Sequence, residues 1–172
     1  MFKGLFGRKN EKKESGKKGE VLAVQNGRAV GIEEVPDDVF ARKILGDGVA
    51  VIPEDGKVYS PVNGMVVSTV LSGHAYGIQA DEGAEILVHI GVDTVALKGE
   101  GFKSYVKEGQ RVKAGDLLAE VDLELVKKKG YHTITPVLLT NMDEVRNVKM
   151  VLGEVKAGKT LMISYEKQYT DK

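Results

Sequence analysis

The sequence predicts an all-β domain: a compact antiparallel β-sandwich or barrel-like fold with one or two short helical turns. Short apolar runs rich in β-branched residues recur along the 172 residues. Turn-forming dipeptides such as Asp55-Gly56 and Asn63-Gly64 separate these runs. Hydrophobic residues make up 42% of the chain, which is enough for a packed core. Many short strands with regular turns are typical of a sandwich or barrel.

Individual elements can be placed from length and composition. Two segments are predicted to be helical: Asp38–Lys43 after Pro36-Asp37, and Leu123–Lys129 with Asp122 as its N-cap and Gly130 as its stop. Six segments are predicted to be strands: Val49–Ile52, Met65–Val70, Glu85–Val92, Leu117–Val121, Val137–Thr140 and Leu161–Tyr165.

Charge divides the chain into two parts, although its formal net charge is zero. Residues 1–19 contain seven Lys or Arg and two Glu, and they are predicted to be a flexible basic tail. Residues 20–172 carry an excess of acidic groups and are predicted to be the folded domain, which would attract a basic protein partner. We expect the tail to be dispensable for activity. Its Phe2, Leu5 and Phe6 would make at most peripheral contact with anionic lipid.

Composition excludes several classes of function. The chain has no cysteine, which rules out disulfides, a thiol nucleophile and thiolate metal sites. No apolar run approaches about 18 residues, so no membrane-spanning helix is predicted. No basic stripe interleaved with aromatic residues is present, so no nucleic-acid partner is expected. A cytoplasmic protein is consistent with these features, and no cofactor is expected.

His89 has the most informative surroundings of the three histidines. Alternation over 85–93 predicts that one face of the strand is core and that His89 lies on the other face with Gly91 and Asp93. A glycine there leaves room for a partner, and Asp93 adds a carboxylate. Neutral imidazole is a good nucleophile near neutral pH, since its ordinary pKa is about 6.5. From spacing alone, a hydrogen-bonded surface histidine is the commoner interpretation.

His74 follows Ser72-Gly73 and precedes His89 by fifteen residues. This separation permits two adjacent antiparallel strands, across which the two rings could meet. Two imidazoles supply too few ligands for a metal site. We therefore expect no metal in the free protein, and zinc at His74 and His89 only in a complex. His132 is interpreted as an exposed loop residue.

Several longer motifs carry a family resemblance. They occur in order as Val35–Gly48, Ser60–Gly64, His74–Tyr76, His89–Phe102, Glu108–Val112, Thr135–Val137 and Asn141–Glu144. From about Glu20 onward the sequence resembles the glucose-family IIA component of the bacterial phosphoenolpyruvate-dependent sugar phosphotransferase system. The segment His89–Phe102 resembles the active-site segment of that family. Several long motifs in the right order are far more specific than one short motif.

The resemblance implies a β-sandwich that acts as a phosphotransferase component. His89 matches the phosphorylated histidine, and His74 matches its neighbour, which would donate a hydrogen bond to the phosphoryl oxygens. Ser72 stands where many members have threonine, and its hydroxyl could support the site. The implied donor is the histidine phosphocarrier protein HPr, and the implied acceptor is a cysteine on the IIB domain of a glucose-type sugar permease. Some family members also regulate other proteins, so regulatory partners stay open.

A phosphoryl carrier must keep water away from its cargo. We therefore predict a shallow apolar depression that a protein partner covers, with carboxylates at the rim and Phe40 as the largest anchor. For each apolar member, burial in the core is an equally good interpretation. The predicted docking residues are Asp37, Asp38, Val39, Phe40, Ile44, Leu45, Val70, Val88 and Asp93.

Two other classes of protein fit the sequence less well. A zinc peptidase needs three or four protein ligands, and a second histidine one residue from the first is missing at His89-Ile90-Gly91. A lipoyl- or biotinyl-type carrier needs its modified lysine at an exposed hairpin tip. Lys149 is the nearest candidate and lacks a turn.

Overall fold

Strands dominate the computed structural model, which describes residues 18–168. Within that range there are two short α-helices, α1 (Asp38–Ala41) and α2 (Leu123–Lys128), and three 3-10 turns (Ile32–Glu34, Thr94–Leu97 and Met142–Glu144). The fourteen strands are β1 Lys18–Leu22, β2 Gly27–Gly31, β3 Asp47–Pro53, β4 Lys57–Tyr59, β5 Gly64–Thr69, β6 Ala75–Ala80, β7 Glu85–His89, β8 Phe102–Ser104, β9 Arg111–Val112, β10 Leu117–Val121, β11 Thr135–Leu139, β12 Val145–Met150, β13 Gly153–Val155 and β14 Leu161–Lys167.

The strands form one large and two small sheets. The large sheet has eight strands in the order β13-β2-β3-β11-β7-β6-β5-β9, and the small sheets have the orders β1-β14-β12 and β4-β10-β8. The paired strands run antiparallel. The predicted all-β antiparallel sandwich with short helical turns is therefore confirmed.

All six predicted strands lie in or overlap an observed strand, and Leu117–Val121 matches β10 at both ends. The largest error at a single strand boundary is at the end of 85–92, which is three residues too late. There β7 ends at His89, because Gly91 and Asp93 adopt positive φ angles of 77° and 60°. Periodicity also misses the short or polar strands β1, β2, β4, β6, β8, β9, β12 and β13. Pairing with a neighbouring strand, rather than their own apolar content, makes these segments strands.

Both predicted helices are present, and local capping explains where they begin. The Asp37 carboxylate accepts a hydrogen bond from the backbone N–H of Val39 at 2.8 Å and so caps α1. The Asp122 carboxylate accepts from the N–H of Leu125 at 3.1 Å and caps α2. Gly130, with φ of 88°, follows α2 as predicted.

The large sheet is covered on both faces, because consecutive residues of a strand point in opposite directions. In β11, Leu139 belongs to the main core and Leu138 belongs to a second, smaller core. In β7, Val88 faces the main core while Leu87 packs on the second one. The second core consists of Val30, Ile32, Val35, Phe40, Ala50, Val92 and Leu138. It lies on the face of β7 that carries His89.

Two residues of the segment predicted to be a flexible tail lie in a strand. Lys18 and Gly19 belong to β1 and pair with Glu166 and Tyr165 of β14. Gly19 is buried, and a side chain in its place would meet the Tyr165 ring. The rest of the predicted tail, 1–17, lies outside the described residues, as does 169–172. Over 18–168, none of the helices has the length and apolarity needed to cross a membrane.

Leu139→Ala should lower the free energy of unfolding by about 2–5 kcal/mol, because Leu139 is fully buried in the main core and its truncation leaves a cavity. Leu71→Ala is the matched control, since the Leu71 side chain is fully exposed, and it should change stability by less than about 0.5 kcal/mol. Urea unfolding of both variants would measure this, and equal losses would contradict the packing described.

Candidate functional site

His89 is the last residue of β7 and lies where the second core meets the surface. Its side chain is half-buried. The Phe40 ring packs beside it, with the two ring centroids 5.0 Å apart and the planes inclined at 56°. Strand alternation puts the histidine on the outer face of the sheet, as the sequence predicts, while α1 brings its residue Phe40 to the side of the imidazole. The ring is therefore held between a strand end and an apolar wall.

A backbone carbonyl decides which nitrogen of His89 carries the proton. The Nδ1 atom lies 2.7 Å from the carbonyl oxygen of Gly91. A carbonyl can only accept a hydrogen bond, so Nδ1 must be the protonated nitrogen. In the neutral ring Nε2 is then unprotonated and keeps its lone pair. A nitrogen with a free lone pair is the state that an imidazole nucleophile requires.

His74 stands next to His89, an arrangement that the fifteen-residue separation permits but does not require. The partner of His89 across β6 and β7 is Ala75, and the N–H of Ile90 donates to the carbonyl of His74 at 2.6 Å. The two imidazole centroids are 5.1 Å apart with the planes at 77°, an edge-on contact. The predicted meeting of the two rings is therefore confirmed.

The ring of His74 has a partner on its other side. The Ser72 hydroxyl lies 2.7 Å from His74 Nδ1, close enough for a hydrogen bond. His74 is buried, and the centroid of the Phe102 ring lies 6.4 Å from the centroid of its imidazole. Ser72 thus contacts His74 directly, so the serine is placed to orient that ring.

Burial lowers the pKa of both histidines below the ordinary value. For His74 desolvation is the main cause, and the nearby His89 ring adds to it. For His89 desolvation again dominates, while the hydrogen bond to Gly91 and the charges of Asp37 and Asp93 act in the opposite direction. Both rings are therefore neutral at neutral pH, which is the state a nucleophile needs.

The predicted docking residues divide into two groups. Phe40 and Val88 are buried in the second and the main core, so for these two residues the structure shows core burial, the alternative that the sequence left open beside docking, and Phe40 forms the wall beside His89. Asp37 is half-buried as the cap of α1. The other predicted docking residues are exposed: Asp38, Val39, Ile44, Leu45, Val70 and Asp93.

Two further sequence interpretations can be compared with the structure. In the part of the chain that the structure describes, no group of three or more His, Cys, Asp or Glu side chains is arranged to hold a metal ion. Lys149 lies within β12 opposite Ser164, and not at a hairpin tip. His132 has an exposed side chain as predicted, yet its backbone pairs with Val92.

Sequence reasoning missed the role of Gly91. Its missing side chain was interpreted as room for a partner, but a Cβ there would meet the Thr94 methyl group and the His132 carbonyl. The glycine is needed for the turn that returns its carbonyl to His89. A glycine two residues after a histidine at a strand end is a weak local signal for such a bond.

The fold and site together define a class: a small antiparallel β-sandwich with two adjoining neutral histidines, one of which has an unprotonated ring nitrogen. The family model for the phosphoenolpyruvate-dependent sugar phosphotransferase system, EIIA 1, matches residues 19–145. The chain belongs to this family and is a component of that phosphotransferase system.

Similar proteins agree over nearly the whole chain. A PTS system glucose-specific EIIA component of Halalkalibacterium halodurans is 48% identical over 172 residues, covering 98% of this chain and 99% of the relative. Another, from Haemophilus influenzae, is 42% identical and covers 97% of this chain and 99% of the relative. The solved structure of glucose permease IIA from Mycoplasma capricolum has a TM-score of 0.81 at 40% identity, covering 86% of this chain and 96% of that one.

NMR titration of the imidazoles should place the midpoints of His74 and His89 below 6.5. Because each pKa is lower in the folded state, the unfolded chain binds more protons in the window below 6.5. Stability should therefore fall as the pH drops from 6.5 through the folded pKa values. His89→Gln should raise the pKa of His74 by removing the neighbouring ring's charge. A midpoint at or above 6.5 for both histidines would contradict this.

Proposed function

We propose that this protein carries a phosphoryl group on Nε2 of His89, taking it from phosphorylated HPr and giving it to the IIB cysteine of a glucose-type sugar permease. The observation that carries the proposal is the 2.7 Å contact between His89 Nδ1 and the Gly91 carbonyl, which leaves Nε2 unprotonated. The names of the similar EIIA components support glucose as the sugar served.

The first step is a displacement at phosphorus. The lone pair of His89 Nε2 forms the new N–P bond, while the N–P bond of the donor histidine breaks and its ring takes the electron pair. No proton has to leave His89, because Nδ1 keeps its proton and its hydrogen bond to Gly91. The positive charge that develops on the ring is stabilised by that carbonyl and by Asp37 and Asp93. Each of these groups favours the charged ring.

His74 acts on the phosphoryl oxygens. Its ring lies edge-on to His89, so a proton on Nε2 of His74 would point toward the group that His89 carries. In our proposal the Ser72 hydroxyl donates to Nδ1 of His74, which fixes that tautomer. His74 then stabilises the charge on the phosphoryl group as it arrives and leaves. In the second transfer the IIB thiolate attacks phosphorus, and the His89 ring takes back the electron pair.

A partner protein covers the site during transfer. The exposed side chains of Val39, Ile44 and Leu45 lie on the segment that carries Phe40. Asp38 and Asp93 supply negative charge at the edge, which favours a basic partner. Covering this surface removes water that would otherwise hydrolyse the phosphohistidine.

A fused relative supports the IIB domain as partner. The chain is 46% identical to part of a PTS system glucose-specific EIICBA component of Streptococcus pneumoniae, with 86% of this chain matching 20% of that protein. A single chain that combines the three parts places an EIIA-like segment beside its IIB segment.

His89→Ala should abolish phosphorylation, since the acceptor atom is missing. His74→Gln should still accept the group, because His89 keeps its neutral ring, but should pass it to a IIB domain on the order of a hundred-fold more slowly. The assay is transfer of radiolabel from phosphoenolpyruvate through enzyme I and HPr, followed by addition of IIB. Uptake of an acid-labile phosphoryl group by His89→Ala would refute the proposal, and wild-type transfer by His74→Gln would refute the role of His74.

Leu45→Ala should weaken binding of HPr about fivefold, equivalent to about 1 kcal/mol, because an exposed apolar side chain near the site is lost. Leu152→Ala is the matched control. Leu152 is similarly exposed and precedes β13, four strands from β7 at the edge of the large sheet. Calorimetric titration with HPr compares the two variants. Equal affinities would exclude the surface around Leu45 as the docking site.

A further inference from the structure

We infer that Thr94 is a positioning residue: its buried side chain holds the 90–92 backbone so that the Gly91 carbonyl faces Nδ1 of His89. This inference rests on the proposed function of His89 and adds a residue that does not itself touch the reacting atoms. It arises from the contacts of Thr94, which is 1% exposed although it is polar.

Both branches of the Thr94 side chain contact this turn, and the hydroxyl is the one that forms a hydrogen bond to it. The hydroxyl donates a hydrogen bond to the carbonyl of Ile90 at 2.6 Å and so orients the peptide group between Ile90 and Gly91. The methyl group occupies the space that a side chain on residue 91 would need. The position of the Thr94 methyl group thus requires a glycine at residue 91, and that glycine adopts a left-handed conformation.

The next peptide group is held at both ends. Its carbonyl, from Gly91, accepts the hydrogen bond of His89 at 2.7 Å. Its N–H, from Val92, donates to the carbonyl of His132 at 3.1 Å. A peptide that donates at one end is a better acceptor at the other, because hydrogen bonds in a chain polarise one another. The orientation of this peptide decides whether Nδ1 of His89 finds its acceptor.

These contacts explain how the His89 imidazole, at the end of β7, keeps one tautomer. The N–H of Ile90 donates to the His74 carbonyl, the Ile90 carbonyl accepts from the Thr94 hydroxyl, and the N–H of Val92 donates to the His132 carbonyl. Removing the Thr94 hydroxyl would leave the buried Ile90 carbonyl without that partner and free the peptide to rotate. The Gly91 carbonyl would then lose its alignment, and protons would be shared between the two nitrogens of His89.

The test compares Thr94→Val, which keeps the shape and removes the hydroxyl, with Thr94→Ser, which keeps the hydroxyl. Nitrogen-15 NMR of the full chain at neutral pH reports which His89 nitrogen is protonated. We expect Thr94→Val to lose the Nδ1–H preference and to accept phosphoryl groups from HPr roughly three- to tenfold more slowly. Thr94→Ser should match the wild type in both measurements.

Thr135→Val is the matched control for loss of a buried threonine hydroxyl. Thr135 is fully buried in β11, and its hydroxyl donates a hydrogen bond to the Thr133 carbonyl at 3.3 Å. It should leave the His89 tautomer unchanged. If Thr94→Val does not fold, Thr94→Cys supplies a weaker donor of similar size. Its transfer rate and its Nδ1–H preference should then lie between the values of Thr94→Ser and those expected for Thr94→Val.

Retention of the Nδ1–H preference and of the wild-type rate in Thr94→Val, or in Thr94→Cys where that replaces it, would overturn the inference. Equal effects of Thr94→Ser and Thr94→Val would overturn it as well, because shape rather than the hydroxyl would then matter. Failure of the wild-type chain to take up a phosphoryl group would instead refute the proposed function, while the tautomer comparison would still decide the role of Thr94.

Discussion

The hydrogen bond from His89 Nδ1 to the Gly91 carbonyl is the interaction on which the site depends. It sets the reactive nitrogen, and it can form only because β7 stops at His89 and the chain turns back through a glycine with positive φ. A strand that continued would carry the carbonyl of residue 91 away along the sheet. The end of β7 at His89 therefore determines the protonation of the imidazole, and the backbone of residues 90–92 positions the ring as directly as the neighbouring side chains do.

The double coverage of the large sheet explains why His89 is both supported and reachable. One face of β7 is fully packed in the main core, so the strand is rigid. The other face is only partly covered by the second core, which ends with the Phe40 ring against the imidazole. This partial burial lowers the pKa of His89 and keeps the ring neutral without enclosing it. A completely buried histidine could not meet another protein, and a fully exposed one would be hydrated and free to change rotamer.

A site of this kind differs from the pocket of an enzyme that encloses a small substrate. Its walls are incomplete, and the surrounding apolar side chains at Val39, Ile44 and Leu45 remain open to solvent. In a carrier, the partner protein completes the enclosure at each transfer, which allows one surface to serve a donor and then an acceptor. The short helix α1 contributes twice to this surface: it presents the exposed side chain of Val39, and its capping residue Asp37 places negative charge near the ring.

The sequence alone predicted the all-β class and both short helices, and its family resemblance singled out His89 and His74 among the three histidines. Strand alternation, capping residues and ordered motifs are local properties, and a local property can be recognised without coordinates. Sequence reasoning left open whether Phe40 and Val88 are core or docking surface, and it ended β7 too late, because burial and strand termination depend on neighbours distant in the chain. It could not foresee that Gly91, Thr94 and the His132 backbone form one support for the His89 ring. Those contacts join segments about forty residues apart. Only the tertiary structure brings them within hydrogen-bond distance, and the direction of a hydrogen bond, which no residue type encodes, decided which nitrogen of His89 carries the proton.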